Sequence, residues 1–522
     1  MSVENNHSEH WGSRFGFIMA AAGSAIGLGN IWKFPYIVGL NGGGAFVLIY
    51  ILCILLVGLP CMIGEFAVGR ASRSDAIGAL KKLAPRNSFM PKLFGGYWLG
   101  VGTMLLMNDS LELGCLVLVL SALMLIWGWG FIGFANVFVA GVILSYYAII
   151  GGWLIYYTYL AFTNALAFKE TAEASEAFVQ LASNGHLSAI FGGAFIIACC
   201  VVCWFGVKKG IEGVSKLVMP LMLGIILVLV IRSLTLPGAI KGLDFYLTPR
   251  FSNITAKGVL EALGHAFYSL SLGMAILIVY GSYLPKNRDI VKSACYVAVL
   301  DTCIALFAGF AIFPAVFAMG MNPAAGPGLI FNILPVTFNA IPGNLGWLWS
   351  GLFFILMFIA AFTSGISLLE TVSASFISRL RMKRRAAVLL SSVLIGSLMV
   401  VISYSIVSYN AFPKLHDIIK EIFGSAKGSF FDDVDFYCSS WILPMNGLAL
   451  AIFSGWTWGV KHISREIYRG TKLEHVELDL NKHRMILQFP MASWAFFIRF
   501  IAPVMIFMIL CYGAGLFKKI LN

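Results

Sequence analysis

Between residues 23 and 30 an apolar segment reads GSAIGLGN, and between 269 and 273 a second one reads SLSLG. Lipid tolerates unwound backbone only where protein or a cavity supplies partners, and glycine lets a helix break and bring bare N–H groups close to a ligand. A half-helix starting after such a break turns its positive dipole end inward, which suits a carboxylate, while the freed carbonyls suit a cation such as sodium. Gly27 and Gly29 therefore read as an anion cradle, and the carbonyls of Gly23, Ala25 and Ile26 as cation ligands. A glycine hinge or close helix packing is the competing reading. Four further residues carry chemistry. Asp301 stands in VAVLDTCIALFAGF, where an ionisable group is costly and marks function by default. Thr363 and Ser364 follow Ala360 by one turn and offer two hydroxyls, whose ordinary use is back-bonding to a helix carbonyl. His265 lies one turn before Ser269 and could exchange a proton near neutral pH with Asp301 or Tyr50 as neighbours; a neutral core histidine is the plainer reading.

The elements that must hold these groups are membrane helices. Of 522 residues 59% are hydrophobic and 11% charged, and the mean hydropathy is +0.88, against roughly 25% charged residues in an average soluble domain. A net charge of +12 could suggest nucleic acid, but the basic residues lie in short links between apolar runs, as the positive-inside rule expects. The ten cysteines fall almost entirely in apolar runs and read as small core residues. The N-terminal segment, with Glu4 and Glu9 before its first arginine, does not read as a secretory leader.

A spanning helix needs roughly 20 mostly apolar residues. Candidates run at about 13–36, 43–68, 131–166, 188–206, 213–236, 258–284, 291–320, 345–379, 386–409, 434–460 and 491–517. The link after the second candidate holds Arg70, Arg73, Lys81, Lys82, Arg86 and Lys92, whereas the link after the third holds Glu170, Glu173 and Glu176. The N-terminus is expected in the cytoplasm and the C-terminus outside a plasma (inner) membrane. The apolar stretch 94–127, broken by Asn108, Asp109, Ser110 and Glu112, is two short halves and is expected to form an extra hairpin returning to the same side. The first and sixth candidates share a polar, glycine-bearing interruption, and five intervening steps make equivalent helices antiparallel. Paired interruptions in two halves point to a transporter's binding site.

AAAGSAIGLGNIWKFP, followed by NGGGAF at 41–46, resembles the first-helix signature of the neurotransmitter:sodium symporter family. GGW at 151–153, YSLSLGM at 268–274, LDT at 300–302 and AAFTSGISLLE at 360–370 extend the resemblance over nearly the whole chain. It implies an all-α integral membrane protein of the leucine-transporter type. Its single domain, 1–522, would be a 5+5 inverted repeat: repeat one at about 13–236 with the 94–127 insertion, repeat two at about 258–460, and an eleventh helix at about 491–517. It further implies two sodium sites. The first would use the Ala25 carbonyl, Asn30, Ser269, Asp301 and the substrate carboxylate. The second would use carbonyls of Gly23, Ile26 and Ala360 with the hydroxyls of Thr363 and Ser364. Oxygen ligands of this kind suit a hard cation. Family members that need chloride typically carry asparagine where this chain has Asp301, so chloride is not expected here.

The substrate, by the same resemblance, would contact Ala25, Gly27, Gly29, Ile143, Tyr147, Tyr268, Ser269, Ser271, Met274, Ser364 and Leu368. Monoamine carriers of the family place an aspartate at the position of Gly27, so glycine there implies a substrate bringing its own carboxylate: an α-amino acid. The apolar lining, with Met274 able to pack on aromatic rings, favours a large hydrophobic or aromatic side chain. Lys33 and Asp435 would close the outer vestibule, with lysine lacking the bidentate fork of the commoner arginine. Trp11 would plug the inner side, although Ser8 replaces the arginine that usually anchors it. Gly210 and Pro220 match a fifth-helix motif that can unwind. The expected activity is sodium-coupled import by alternating access. A proton-coupled carrier, with His265 and Asp301 as the proton pair, and an amino-acid-sensing receptor are the alternatives. No nucleophile–base set or metal motif suggests an enzyme, no nucleic-acid partner is expected, and nothing fixes an oligomeric state.

Overall fold

The computed structural model describes residues 9–85, 121–323, 329–341, 343–406, 430–469, 471 and 489–513, with isolated positions between 86 and 120. All regular structure among these residues is helical. Among the described residues nine helices are long and apolar enough to cross a membrane: Gly44–Ser72, Trp129–Phe162, Gly185–Trp204, Val207–Leu234, Ile290–Ala318, Gly346–Leu380, Arg384–Ser405, Phe430–Thr457 and Met491–Tyr512. They are the second to fifth and seventh to eleventh spans. The first span is a bent pair, Arg14–Ala25 and Gly29–Leu40, with 51° between its halves. The sixth is also a pair, Ala256–Ser269 and Ile276–Ser282. The chain is thus a multi-pass membrane protein with two interrupted spans. The hairpin expected at 94–127 lies mostly outside the described residues, as does Ser8; residues 121–127 are helical.

Local sequence explains both breaks. The first helix is capped by Ser13, whose side chain accepts from the Gly16 N–H, and ends where Ile26 turns extended at ψ 91°. It resumes through a π-helical turn, Gly29–Lys33, of the kind often found at functional sites. In the sixth span Thr255 caps the first half. Ser271, Gly273 and Ala275 then take positive φ values of 55°, 75° and 62°, two of them strained for residues with a Cβ.

Freed backbone at membrane depth must find partners, and side chains from other spans supply them. Glu65 of the second span accepts the Gly273 N–H at 3.0 Å, and Asn446 of the tenth donates to the Gly273 carbonyl at 3.2 Å. Ser271 Oγ donates to the Ser24 carbonyl at 2.9 Å, joining the two breaks directly. Around them the third and eighth spans pack as a scaffold, and the third meets the fourth at glycines: a Cβ at Gly151 would meet Phe195, and one at Gly152 the backbone at Gly192. Small residues allow this approach where lipid gives no hydrophobic drive between helices.

Candidate functional site

A cavity of ≈ 30 Å³ opens between the two breaks, lined by Ser24, Ala25, Gly27, Leu28, Gly29, Ile143, Tyr147, Tyr268, Ser269, Ser271, Met274, Ile276, Ser364 and Leu368. The structure therefore gathers all the sequence-derived substrate positions around one space. It adds Ser24, Leu28 and Ile276, small or apolar residues with no signal of their own. The space would hold at most a few waters, so admitting an amino acid requires the walls to part. No acidic or basic side chain lines it. The backbone N–H of Gly27 donates to Asn30 Oδ1 at 3.2 Å, and that of Leu28 to the Tyr147 hydroxyl at 3.2 Å. Two backbone donors of lining residues are thus bonded to neutral side chains. A Cβ at Gly27 would stand 2.7 Å from Ser364 Oγ and 3.1 Å from the Tyr147 hydroxyl.

One oxygen cluster lies against the first half-helix break. Asp301, fully buried, accepts from Asn30 Nδ2 at 2.8 Å and from Ser269 Oγ at 2.8 and 3.0 Å to its two carboxylate oxygens. Asn30 Nδ2 also donates to the Asp301 carbonyl at 3.0 Å. Tyr50 donates to Ser269 Oγ at 3.3 Å. A carboxylate, an amide oxygen and hydroxyls form the oxygen-only donor set that a hard cation prefers. His265 is buried beside this cluster's Tyr50. Its ring lies 5.2 Å from that of Tyr50 and stacks on Phe34 at 5.7 Å. Neither ring nitrogen has a hydrogen-bond partner, so no hydrogen bond ties His265 to Asp301.

A second oxygen cluster joins the first span to the eighth. Ser364 Oγ donates to the Ser24 carbonyl at 3.1 Å and reaches the Gly23 carbonyl at 3.5 Å. Thr363 Oγ1 back-bonds to the Ile359 and Ala360 carbonyls at 3.2 Å each. A Cβ at Gly23 would lie 3.2 Å from Thr363 Cβ and 3.1 Å from Met219 Sδ, so glycine there is what lets the three spans converge.

The predicted gates lie on either side of the cavity. Lys33 Nζ sits 4.8 Å from the Tyr268 ring centroid, a cation–π contact. Its charge also acts on Asp435, without an ion pair within 4.0 Å among the described residues. Trp11 Nε1 donates to the Tyr280 carbonyl at 3.0 Å, and the Trp11 ring meets the edges of Phe17 and Tyr280. In the fifth span Gly210 belongs to the π-helical turn Val207–Ile211, and Pro220 lies inside the helix that follows. Glu65 and Asn446, which hold the sixth-span break, went unnamed in the sequence reading. Glu65 carried a usable signal, a carboxylate within LPCMIGEFAV at membrane depth.

Residues 8–98 and 175–420 match the profile of the sodium:neurotransmitter symporter family. An uncharacterized sodium-dependent transporter of Bacillus subtilis, YhdH, is 34% identical over 499 residues, covering 96% of this chain and 96% of that protein. An uncharacterized sodium-dependent transporter of Haemophilus influenzae is 30% identical over 519 residues, covering 98% and 99%. The crystal structure of MhsT in complex with L-phenylalanine is similar with a TM-score of 0.76 and 35% identity, over 97% of this chain and 99% of that one.

Proposed function

This chain belongs to the sodium:neurotransmitter symporter family, and from that premise we propose that it imports a large hydrophobic or aromatic α-amino acid together with sodium by alternating access. Sodium-coupled transport through a multi-pass helical fold follows from the family. The observation that carries the finer reading is the uncharged cavity at Gly27, where the backbone N–H groups of two lining residues are bonded to neutral side chains and no carboxylate of the chain lines the space. Such donors beside a broken helix suit the substrate's carboxylate. Ile143, Tyr147, Tyr268, Met274 and Leu368 then leave an apolar surround for its side chain. The likeness to MhsT, whose structure holds L-phenylalanine, supports the same class of substrate.

Two sodium ions would travel as co-substrates. Ala25, Asn30, Ser269 and Asp301, completed by the substrate carboxylate, would hold the first, which couples ion and amino acid through a shared group. Gly23, Ile26, Ala360, Thr363 and Ser364 would hold the second, bridging the moving first span to the eighth. Asp301 supplies a fixed negative charge, so chloride is not required. Differential binding to outward- and inward-facing states is all that coupling needs. With the N-terminus in the cytoplasm, Lys33, Tyr268 and Asp435 close the outer path, while Trp11 closes the inner one. A thermal-shift screen of the standard amino acids, in sodium chloride and in choline chloride, tests the reading. Stabilisation by phenylalanine, tyrosine or tryptophan in sodium alone is expected. Equal stabilisation in choline would favour a proton-coupled carrier, for which His265 beside Tyr50 is the feature to mutate.

A further inference from the structure

The eleventh span, Met491–Tyr512, carries a single charged residue, Arg499. Ionisable groups inside a span are costly and almost always turn to the protein interior or to a charged partner. Arg499 is only half-buried, and it makes no ion pair among the described residues. Its side chain is fixed all the same. Nε donates to the Gly455 carbonyl of the tenth span at 2.8 Å, the guanidinium carbon lies 5.3 Å from the centre of the Trp456 ring, and Trp456 Nε1 donates back to the Arg499 carbonyl at 3.1 Å. A Cβ at Gly455 would stand 3.1 Å from Arg499 Cγ, so glycine there lets the arginine stem lie close on the tenth span. Both sides of the contact are π-helical turns, Phe453–Thr457 and Phe497–Ile501, packed against each other, a local distortion often found at functional sites. The Nε–H is spent on Gly455, and the two terminal nitrogens of the guanidinium take no partner among the described residues.

Depth and surroundings say what could meet those nitrogens. Asn446 of the tenth span holds the Gly273 carbonyl at the sixth-span break, and breaks of this kind lie near the bilayer midplane. Gly455 follows roughly 13 Å further along the helix axis, toward the end of the span at Thr457. Half of the hydrocarbon core is roughly 15 Å, so the guanidinium stands at the edge of the core, where lipid phosphates begin. Trp456 is exposed at the same level, as interfacial tryptophans are. From Arg499 toward the midplane, Phe500, Val504 and Phe507 form one exposed apolar stripe of the eleventh span, set by helical spacing. In the other direction the chain turns at Gly459, φ 85°, into Val460–Tyr468, on which Lys461 and Arg465 are exposed.

We propose that Arg499 and Trp456 form a docking site for the phosphodiester of one anionic phospholipid, with an acyl chain laid along Phe500, Val504 and Phe507. The lipid belongs to the leaflet on the Lys461 side, which is the cytoplasmic one in the orientation proposed above. A guanidinium fork matches two phosphate oxygens, and its seat on the indole holds its plane in advance. A zwitterionic headgroup would bring its own cation beside Lys461 and Arg465, whereas an anionic one answers their charge. Because the tenth and eleventh spans share the site, its occupant stabilises their packing by mass action. Neither sodium nor an amino acid takes part, so the site stands or falls apart from the transport reading.

Native mass spectrometry of the full-length protein, delipidated in detergent and titrated with dioleoylphosphatidylglycerol or dioleoylphosphatidylcholine, tests this, with melting midpoints measured in parallel. One tightly held phosphatidylglycerol is expected, raising the midpoint more than phosphatidylcholine does. Arg499→Gln should weaken that first phosphatidylglycerol by about tenfold or more and erase the difference between the two lipids. If this variant does not fold, Trp456→Leu keeps the charge, removes the platform and should weaken the same adduct by about threefold. Inorganic phosphate should leave the midpoint unchanged, because it has no chain for the apolar stripe. Equal binding of the two lipids, a first phosphatidylglycerol indifferent to the substitution tested, or stabilisation by phosphate alone would each overturn the proposal. So would a dimer that Arg499→Gln dissolves, since a second copy of the chain would then cover this face.

Discussion

Replacing Gly27 by alanine is the sharpest probe of the carboxylate cradle. The added methyl would stand 2.7 Å from Ser364 Oγ and 3.1 Å from the Tyr147 hydroxyl, in the space assigned to the substrate's carboxylate. Backbone strain is not the issue, because Gly27 is not among the glycines at positive φ. The methyl needs shifts of two side chains, Ser364 and Tyr147, and the fold should lose about 1 kcal/mol, the low end for an inserted methyl. Binding should suffer far more. Displacing a carboxylate from even one donor forfeits a charge-assisted hydrogen bond of about 1.5–3 kcal/mol, which is roughly a tenfold to hundredfold loss of affinity. Isothermal titration of L-phenylalanine in sodium chloride measures this. Phenethylamine, the same side chain without the carboxylate, serves as control, its weak binding expected to change little. A Gly27→Ala protein with an unaltered melting midpoint and unaltered affinity for L-phenylalanine would refute the assignment.

Other substitutions test neighbouring parts of the account. Asp301→Asn removes the carboxylate from the first oxygen cluster and should weaken sodium by about tenfold or more, read as the sodium concentration that half-saturates the thermal shift. Replacing chloride by gluconate should leave wild-type uptake unchanged. Glu65→Ala strips the acceptor from the Gly273 N–H, at a cost of about 1–3 kcal/mol, seen as a lower melting midpoint. Arg70 is fully buried, bonded to Glu466 at 2.7 Å and to the Arg288 and Glu466 carbonyls. Arg70→Met should therefore destabilise the protein by about 3 kcal/mol, the low end of the range because Arg469 still pairs with Glu466.

Much of this site was legible because polar and glycine residues in an apolar run need a reason. GSAIGLGN and SLSLG marked both breaks, and Asp301 announced itself by the cost of its depth. What sequence could not supply was the partner across spans. Ser24, Leu28 and Ile276 line the cavity by virtue of where the breaks meet, and no local pattern encodes that meeting. Glu65 and Asn446 hold Gly273 from 208 and 173 residues away. Similarly, Lys33 reads on sequence as half of an ion pair with Asp435, yet its ammonium settles over the Tyr268 ring. Where the resemblance leads one to expect an arginine in place of Ser8, the N-terminal segment is joined to the eighth and ninth spans through Glu9, Arg384 and Glu370.

The proposed transport is of a large hydrophobic or aromatic amino acid, driven through the chain by sodium. Purified protein in sealed liposomes, given an inward sodium gradient and radiolabelled L-phenylalanine or L-tryptophan, tests it most directly. Accumulation above the external concentration that collapses when choline replaces sodium is the predicted result. Equilibration without accumulation, or accumulation that persists in choline under a proton gradient, would contradict it.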